Sequence, residues 1–350
     1  MDKKTILILF GGRSSEHEIS VRSAASVIAN LDPTLYEIIP LAIDKKGYFL
    51  SIHQSMELLP AETTKNLVEV ATIKIKPEPL SMTGVDVVFP VLHGTFGEDG
   101  KFQGVFDLAD AAYVGAGVLG SAVGMDKDVM KRLFHERDLP TVEHFALLRS
   151  NCLERIGDIE ARFPYPVFIK PANLGSSVGI TKASNRNELR QSLALAAKYD
   201  RKIIIEPAIV GREIECGVLG NDDPEVSVPG EVVTGEGFYD YEAKYGDKNS
   251  TIVIPAVLSD KETNQVRELA LEAFKAVEGR GLARVDFFLE ATTGKVLLNE
   301  LNSMPGFTSI SMYPKLWMAT GLSYPSLLDR LIDLAIESHQ ENKRTLFGVE

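Results

Sequence analysis

The sequence of 350 residues has only two cysteines, one tryptophan and a deficit of positive charge. Cys152 and Cys216 are far apart and form no metal-binding or redox spacing, so we expect reduced thiols and a cytoplasmic protein. The net charge of −12 argues against nucleic acid as a partner, because binding phosphates requires a basic surface. No apolar run approaches the roughly 18 residues of a membrane span, so we expect no membrane partner.

The first part of the chain alternates between strands and helices. Apolar runs predict strands at residues 5–10, 36–43 and 86–92, with a helix at 20–31. This order predicts an α/β domain with a mainly parallel sheet over residues 1–121. Function gathers at the carboxyl ends of such strands, where Gly11-Gly12 and His93-Gly94 lie.

The remainder reads as two α+β subdomains, at residues 122–208 and 209–350. Sequence patterns predict strands at 166–170, 179–181, 202–206 and 213–219. They also predict helices at 126–136, 187–198, 261–277 and 325–338. This order suggests two subdomains that clamp a ligand between them.

A predicted hairpin near the end of the chain carries acidic side chains. Strands at 281–290 and 295–302 flank a turn, and a hairpin symmetric about Thr293 places Asp286 opposite Glu300. With Asn302, these side chains offer oxygen ligands of the kind that Mg²⁺ prefers. The alternative is an exposed hairpin face with ordinary surface charge.

Two further segments suggest contacts with a nucleotide. Residues 168–180 form a strand, a Gly/Ser loop and a strand, and Lys170 at the strand end could reach a phosphate. Residues 203–213 join two strands by a short connection whose backbone could meet an adenine edge, and Glu213 could bind ribose hydroxyls. A plain hairpin loop and a purely structural linker are the respective alternatives.

Six motifs, taken together and in order, resemble the D-alanine–D-alanine ligase family of ATP-grasp enzymes. They lie at residues 11–20, 93–100, 125–127, 170–179, 239–245 and 299–308. The resemblance runs from about residue 5 to 338. It implies an N-terminal parallel-sheet α/β domain followed by an ATP-grasp fold of two α+β subdomains. One departure is Asn173-Leu174, where some relatives carry an acidic residue; we expect little effect.

The resemblance also implies a reaction. ATP phosphorylates the carboxylate of one D-alanine, and the amine of a second D-alanine attacks the acyl phosphate to give D-alanyl-D-alanine, a peptidoglycan precursor. The implied partners are ATP and two molecules of D-alanine, with two Mg²⁺ or Mn²⁺ ions. A homodimer is also implied.

Residue roles follow the matching motif positions. The implied metal ligands are Asp286, Glu300 and Asn302. The positions that match nucleotide-binding residues are Lys127, Lys170, Ser177, Glu206, Ile209, Glu213, Phe238 and Lys244.

At the amino-acid end, Glu16 matches the carboxylate that receives the first ammonium, supported by His93. Arg284 and Gly306 match groups that hold the oxygens of the intermediate, and Ser311 matches the hydroxyl that receives the second carboxylate. The resemblance places Ser176 and Tyr245 beside Glu16. Taken alone, Glu16 could be a helix N-terminal acid, His93 a core histidine and Ser311 a helix cap. Glu98 and Asp99 read as turn residues.

Residues 235–249 are rich in Gly, Tyr and charge, and we expect them to form a mobile lid that shields the acyl phosphate from water.

Three alternatives stay open. A sibling ligase would join D-alanine to D-lactate or D-serine, and another ATP-grasp ligase would use a different carboxylate and amine. A nucleotide-binding regulator without turnover is the third, although such a protein should have lost Arg284 or a metal ligand.

Overall fold

The computed structural model of the chain describes residues 3–65, 67, 74–77, 80–234 and 250–346. Its first sheet consists of β1 (Lys4–Gly11), β2 (Tyr36–Ile43), β5 (Val87–Val91) and β6 (Ala112–Tyr113). The strand order is β2-β1-β5-β6, and every pair is parallel. β1 is buried along most of its length, as expected for a parallel strand covered on both faces. The predicted parallel α/β domain is therefore confirmed, and its three predicted strands are correct to within one residue.

Helices and one small hairpin surround this sheet. They are α1 (His17–Asn30), α2 (Ile52–Glu57), α3 (Ala61–Thr64), β3 (Lys74–Pro77), β4 (Leu80–Thr83), α4 (Lys101–Leu108) and α5 (Val118–Met125). α1 begins three residues before its predicted start. Ser20 lies within its first turns, accepts the Gly11 N–H at 2.7 Å and bonds to the Val91 carbonyl. This small buried residue ties the helix to the ends of two strands.

The central sheet is antiparallel. Its elements are α6 (Lys127–Glu136), β7 (Phe145–Leu148), α7 (Ile156–Arg162), β8 (Val167–Pro171), β9 (Thr181–Ala183), α8 (Arg186–Tyr199) and β10 (Lys202–Pro207). The strand order is β7-β10-β8-β9. The strand predicted at 179–181 begins two residues later, because Ser176, Ser177 and Gly179 all adopt positive φ and prolong the turn.

The third sheet is also antiparallel and carries the predicted hairpin. Its elements are β11 (Gly211–Gly220), β12 (Glu225–Val226), β13 (Gly230–Thr234), β14 (Ser250–Val253), α9 (Asp260–Ala276), β15 (Gly281–Glu290), β16 (Val296–Asn302), α10 (Met312–Thr320) and α11 (Tyr324–Asn342). The strand order is β14-β13-β11-β15-β16, with β12 on β11. Asp286 pairs with Glu300, as predicted, and Arg284 pairs with Asn302, but nearer the turn the ladder is not symmetric about Thr293, because Phe287 pairs with Leu298.

A β-bulge interrupts β16 at Asn299. Asp286 pairs with Glu300 but Phe287 pairs with Leu298, which leaves one extra residue on β16. Before the bulge Val296 and Leu298 face the core; after it Leu301 faces the core. The bulge thus turns Glu300 and Asn302 toward the same face as Asp286, whereas unbroken alternation would have placed them on the side of Val296 and Leu298.

The final helix packs against the first sheet rather than the third alone. Leu327 and Leu331 of α11 belong to one buried cluster with Ile8 and Phe89 of the first sheet, and Phe307 completes it. The C-terminal segment therefore covers a face of the N-terminal sheet. The division of the chain at residues 121 and 208 stays a prediction. Within the described ranges, no helix is long and apolar enough to cross a membrane.

Candidate active site

The hairpin concentrates charge on one face of the third sheet. One edge of the Arg284 guanidinium meets both oxygens of Asp286, at 2.7 Å from Nε and 2.7 Å from Nη2, and Nε also lies 2.8 Å from Glu215. The Asn302 amide donates to Asp286 at 2.9 Å. Burial alone lowers the pKa of Arg284, but Asp286 and Glu215 outweigh it and raise that pKa well above its ordinary value. The predicted carboxylate cluster therefore exists, and Arg284 is its counter-ion.

Lys127 links this cluster to the Gly/Ser loop. It is the first residue of α6, whose N-cap Asp126 accepts the N–H groups of Asp128 and Val129 at 3.1 Å. The Lys127 ammonium lies 3.4 Å from a Glu300 oxygen and donates to the Leu174 carbonyl at 2.8 Å. One cation thus touches both the hairpin and the loop that follows β8.

The donor set for a metal is small. Within the part of the chain that the structure describes, no three His, Cys, Asp or Glu side chains cluster closely enough to hold an ion. Asp286 and Glu300 face each other with only 13% and 20% of their side chains exposed, beside the Asn302 amide. Two carboxylates and one amide fit Mg²⁺, which usually keeps several waters and takes further oxygens from a substrate phosphate.

A second charged cluster lies on the central sheet. The Glu206 carboxylate is sandwiched between two ammonium groups, Lys170 at 2.6 Å and Lys131 at 2.9 Å. Burial raises the pKa of Glu206, but the two lysines outweigh it and lower that pKa to about 2. Lys170 and Glu206 were expected near a nucleotide. Sequence analysis missed Lys131; its spacing of one helical turn from Lys127 was the available signal.

The predicted connection between subdomains is confirmed as a link between sheets. β10 ends at Pro207 and β11 begins at Gly211, so Ile209 lies between the central and third sheets, half-buried. Glu213 follows on β11, opposite Val232.

The Gly/Ser loop meets the first domain at Glu16. Ser177 lies in this loop, and the neighbouring Ser176 hydroxyl donates a hydrogen bond to the Glu16 carboxylate. A Cβ built on Gly94 would come within 2.5 Å of Glu16 Oε2, and one on Gly175 within 2.9 Å. Glu16 occupies the N-cap position of α1, but its side chain caps no helix N–H. The carboxylate is therefore buried where three loops converge.

His93 departs from expectation. Its Nδ1–H donates to the Met304 carbonyl at 3.1 Å, and its Nε2 accepts from the Ser23 hydroxyl at 2.9 Å. Both ring nitrogens are thus occupied by these partners, and the expected support of Glu16 by His93 stays a prediction. Burial lowers the pKa of His93 to about 4, which keeps the ring neutral. Because Phe307 N–H also bonds to Ser23, at 3.2 Å, His93 anchors the loop that carries Gly306.

Glu98 is a residue that sequence analysis set aside as part of a turn. It accepts the Gly94 N–H at 2.6 Å, and the same glycine lies against the Glu16 carboxylate. Burial and then the Glu16 charge raise the pKa of Glu98 to about 8, while Lys127 and Arg284 oppose this shift. These electrostatic partners bring Glu98, Glu16 and the hairpin into one cleft.

Gly306 and Ser311 lie side by side at the end of that cleft. A Cβ on Gly306 would approach the Ser311 hydroxyl to 2.7 Å. Ser311 occupies the N-cap position of α10 without a side-chain cap bond, and its oxygen accepts the Thr308 N–H at 2.9 Å. The hydroxyl therefore orders the loop rather than capping the helix. The expected contacts of Phe238, Lys244 and Tyr245, and the lid at 235–249, lie outside the described residues.

Comparison with known proteins identifies the family. A model of the "D-ala D-ala ligase N-terminus" matches residues 5–116, and one of the "D-ala D-ala ligase C-terminus" matches residues 133–333. The chain is 48% identical to the D-alanine–D-alanine ligase of Solibacter usitatus, over 99% of both chains. It is 49% identical to that of Thermoanaerobacter sp., over 98% of this chain and 99% of the relative.

Solved structures agree. The D-alanine-D-alanine ligase of Coxiella burnetii superimposes with a TM-score of 0.85 at 38% identity, covering 98% of this chain and 97% of that one. The VanG D-Ala:D-Ser ligase of Enterococcus faecalis gives 0.82 at 37% identity, covering 95% and 100%. These matches span the first sheet, the central sheet and the charged hairpin alike, and the chain therefore belongs to the D-alanine–D-alanine ligase family.

Proposed function

We propose that this chain joins two molecules of D-alanine at the expense of ATP, through a D-alanyl phosphate, and so supplies a peptidoglycan precursor. The family is one of ATP-dependent ligases, and this activity is its reaction. The observation that carries the assignment to this cleft is the continuous chain of contacts from Glu16 to Glu300. Ser176 contacts Glu16, and Lys127 contacts both the Leu174 carbonyl and Glu300.

The nucleotide end comprises the central sheet and the hairpin. Lys127 and Lys170 face the phosphates, Ser177 and the loop amides add donors, and Glu206, Ile209 and Glu213 line the adenosine. Asp286, Glu300 and Asn302 would hold the metal, Mg²⁺ or Mn²⁺ with two ions in the complete site. When bound, the metal neutralises charge on the transferring phosphoryl group. Phe238 and Lys244 are proposed to contribute from the segment at 235–249.

The amino-acid end receives the two substrates. Glu16 takes the ammonium of the first D-alanine, while Ser176 fixes the orientation of that carboxylate. The substrate carboxylate accepts the γ-phosphoryl group, ADP leaves, and an electrophilic acyl phosphate results. Arg284 and the backbone at Gly306 hold its oxygens, which stabilises the negative charge that develops when the carbonyl is attacked.

The second D-alanine completes the reaction. Ser311 receives its carboxylate, its ammonium group loses a proton to solvent, the free amine attacks the acyl carbon, and inorganic phosphate leaves from the tetrahedral intermediate. Tyr245 is proposed to favour an amine over a hydroxyl as the attacking group. His93 enters indirectly, by anchoring the loop of Gly306. A homodimer in the cytoplasm is the proposed setting.

Isotope transfer tests the reaction directly. The protein is incubated with ATP, Mg²⁺ and D-alanine labelled with ¹⁸O in its carboxylate. The masses of the phosphate and peptide products are then measured by mass spectrometry. An acyl phosphate moves one ¹⁸O from substrate to phosphate for each dipeptide formed. Unlabelled phosphate with normal dipeptide formation would contradict the intermediate.

A panel of acceptors distinguishes a D-alanine–D-alanine ligase from a sibling ligase that uses D-serine or D-lactate as the second substrate. D-Serine and D-lactate compete with D-alanine for the second position, because the likeness to a D-Ala:D-Ser ligase makes acceptor choice the open question. We expect D-alanyl-D-alanine to dominate. If D-alanyl-D-serine or the depsipeptide D-alanyl-D-lactate predominated, D-serine or D-lactate would be the acceptor instead of D-alanine.

A further inference from the structure

Lys131 is a cation sealed inside the protein. Only 1% of its side chain is exposed, and it projects from α6 one turn after Lys127. The neighbouring residues Met130 and Phe134 belong to the core of the third sheet. Lys131 instead reaches the central sheet, where its ammonium meets Glu206. Helix α6 therefore packs against the third sheet and places the charge of Lys131 against the central sheet.

The environment of Lys131 is asymmetric. Glu206 is itself only 2% exposed, and its two oxygens are divided between Lys131 at 2.9 Å and Lys170 at 2.6 Å. Lys170 is more open, with 11% of its side chain exposed at the end of β8. Lys131 cannot reach a ligand because the carboxylate stands between it and the open lysine.

A charge count shows what Lys131 changes. Two ammonium groups and one carboxylate leave a net charge of +1, and Lys170 is the accessible cation. Without Lys131 the remaining pair would be neutral, and Lys170 would be held by a carboxylate that has no competing cation. A buried carboxylate with a single cationic partner attracts that partner more strongly than one that is shared between two cations. Lys170 would therefore be less able to interact with a phosphate.

We propose that Lys131 is a positioning residue for the nucleotide: by occupying one oxygen of Glu206 it leaves Lys170 an excess positive charge directed at a phosphate. This inference rests on the proposed nucleotide role of Lys170. A purely structural ion pair would instead change stability and affect all ligands alike.

Nucleotide binding separates the two roles. Lys131→Met is compared with the parent for ADP and for adenosine by calorimetry, without D-alanine. We expect ADP affinity to fall about tenfold or more beyond any change in adenosine affinity, because Glu206 lines the adenosine of both ligands whereas only ADP has phosphates for Lys170 to attract. In turnover, KM for ATP should rise and KM for D-alanine should not.

Phe134→Leu is the matched control. Phe134 lies on the same helix and is fully buried, but it touches the core of the third sheet rather than Glu206. This variant should lower the melting temperature without selective loss of ADP binding. Equal loss of ADP and adenosine in both variants would overturn the proposal, as would unchanged ADP binding in Lys131→Met.

A double variant covers the case in which Lys131→Met folds poorly. Lys131→Met with Glu206→Gln removes the buried carboxylate and restores the net charge of +1 on Lys170. We expect it to fold and to recover part of the preference for ADP over adenosine, since Glu206 lines the adenosine of both ligands; a folded double variant that recovers none of this preference would overturn the charge argument. If the parent itself binds no ADP, the proposed nucleotide site fails, which is a different result.

Discussion

The two ends of the cleft handle buried charge in opposite ways. At the proposed nucleotide end, carboxylates and cations alternate: Lys170 and Lys131 flank Glu206, and Lys127 meets Glu300. At the proposed amino-acid end, Glu16 and Glu98 both lie against Gly94, and the Glu16 charge adds to burial in raising the pKa of Glu98. The first end is ordered by attraction in the absence of ligand, whereas the second holds two carboxyl groups side by side.

This difference matches what each end must receive. Alternating charges fix the lysines and carboxylates in place before an anionic nucleotide and a cation arrive, so little reorganisation is needed. Two neighbouring carboxyl groups favour a ligand with an ammonium group, because a positive charge beside them stabilises the ionised form that burial and proximity disfavour. The contrast suggests four experiments.

Glu300→Gln should break the nucleotide end most severely. Loss of one carboxylate weakens the metal site and the Lys127 contact, so we expect dipeptide formation to fall by about 100-fold or more. The fold should persist, because Gln retains the volume and relieves repulsion with Asp286. Turnover and thermal melting are measured at several Mg²⁺ concentrations, and near-parent turnover at ordinary Mg²⁺ would refute the metal assignment.

Gly94→Ala should disturb the amino-acid end. Gly94 has φ +76°, and an added Cβ would press on Glu16 Oε2, so KM for D-alanine should rise about tenfold or more. Gly84→Ala is the matched control: its φ of +85° causes similar strain, of about 1 kcal/mol, but its Cβ would meet no atom within 4 Å. If both variants raise KM equally, the Glu16 contact is not responsible.

His93 should make the protein sensitive to acid. Its folded pKa of about 4 lies below the unfolded value of 6.5, so the unfolded chain takes up the proton first and stability falls as pH drops through this window. The loss between pH 7.5 and pH 5 is about 2 kcal/mol. Urea unfolding at the two pH values should show a smaller loss for His93→Gln. If His93→Gln lost as much stability as the parent between the two pH values, a group other than His93 would be responsible for the acid sensitivity.

Glu98→Gln should stabilise the ligand-free protein at high pH. The folded pKa of Glu98, about 8, exceeds the unfolded value, so its contribution becomes less favourable as pH rises from 4.5 to 8. Gln keeps the acceptor for Gly94 N–H and never ionises. We expect the melting temperature to rise by roughly 2–4 °C at pH 8 and to change little at pH 4.5. A pH-independent difference would contradict the raised pKa.

Local patterns predicted much of this fold. β2 has the bounds expected from its apolar run, and α6 begins where Asp126 caps it. These two features depend on neighbours in the chain, which the sequence displays. Counting from Thr293 also predicted the pairing of Asp286 with Glu300, but the turn is centred between Thr292 and Thr293, and the bulge at Asn299 makes up the difference.

Features that depend on distant partners were missed. β13 and β14 were not predicted because they are short and are defined by their pairing, β13 with β11 and β14 with β13. Glu98 was predicted to be a turn residue, because its proximity to Glu16 exists only in the folded protein. His93 was expected to support Glu16 from its match to a family motif, but its Nδ1–H donates to the carbonyl of Met304, 211 residues away.

The single extra residue in β16 limits how this part of the gene can vary in length. The turn that joins β15 and β16 can gain or lose residues while the ladder re-forms around it. Deleting Asn299, by contrast, would rotate either Glu300 and Asn302 into the core or Val296 and Leu298 out of it. Gaps among functional relatives should therefore fall at residues 291–294 and spare the bulge, and a relative without it should have lost ligase activity.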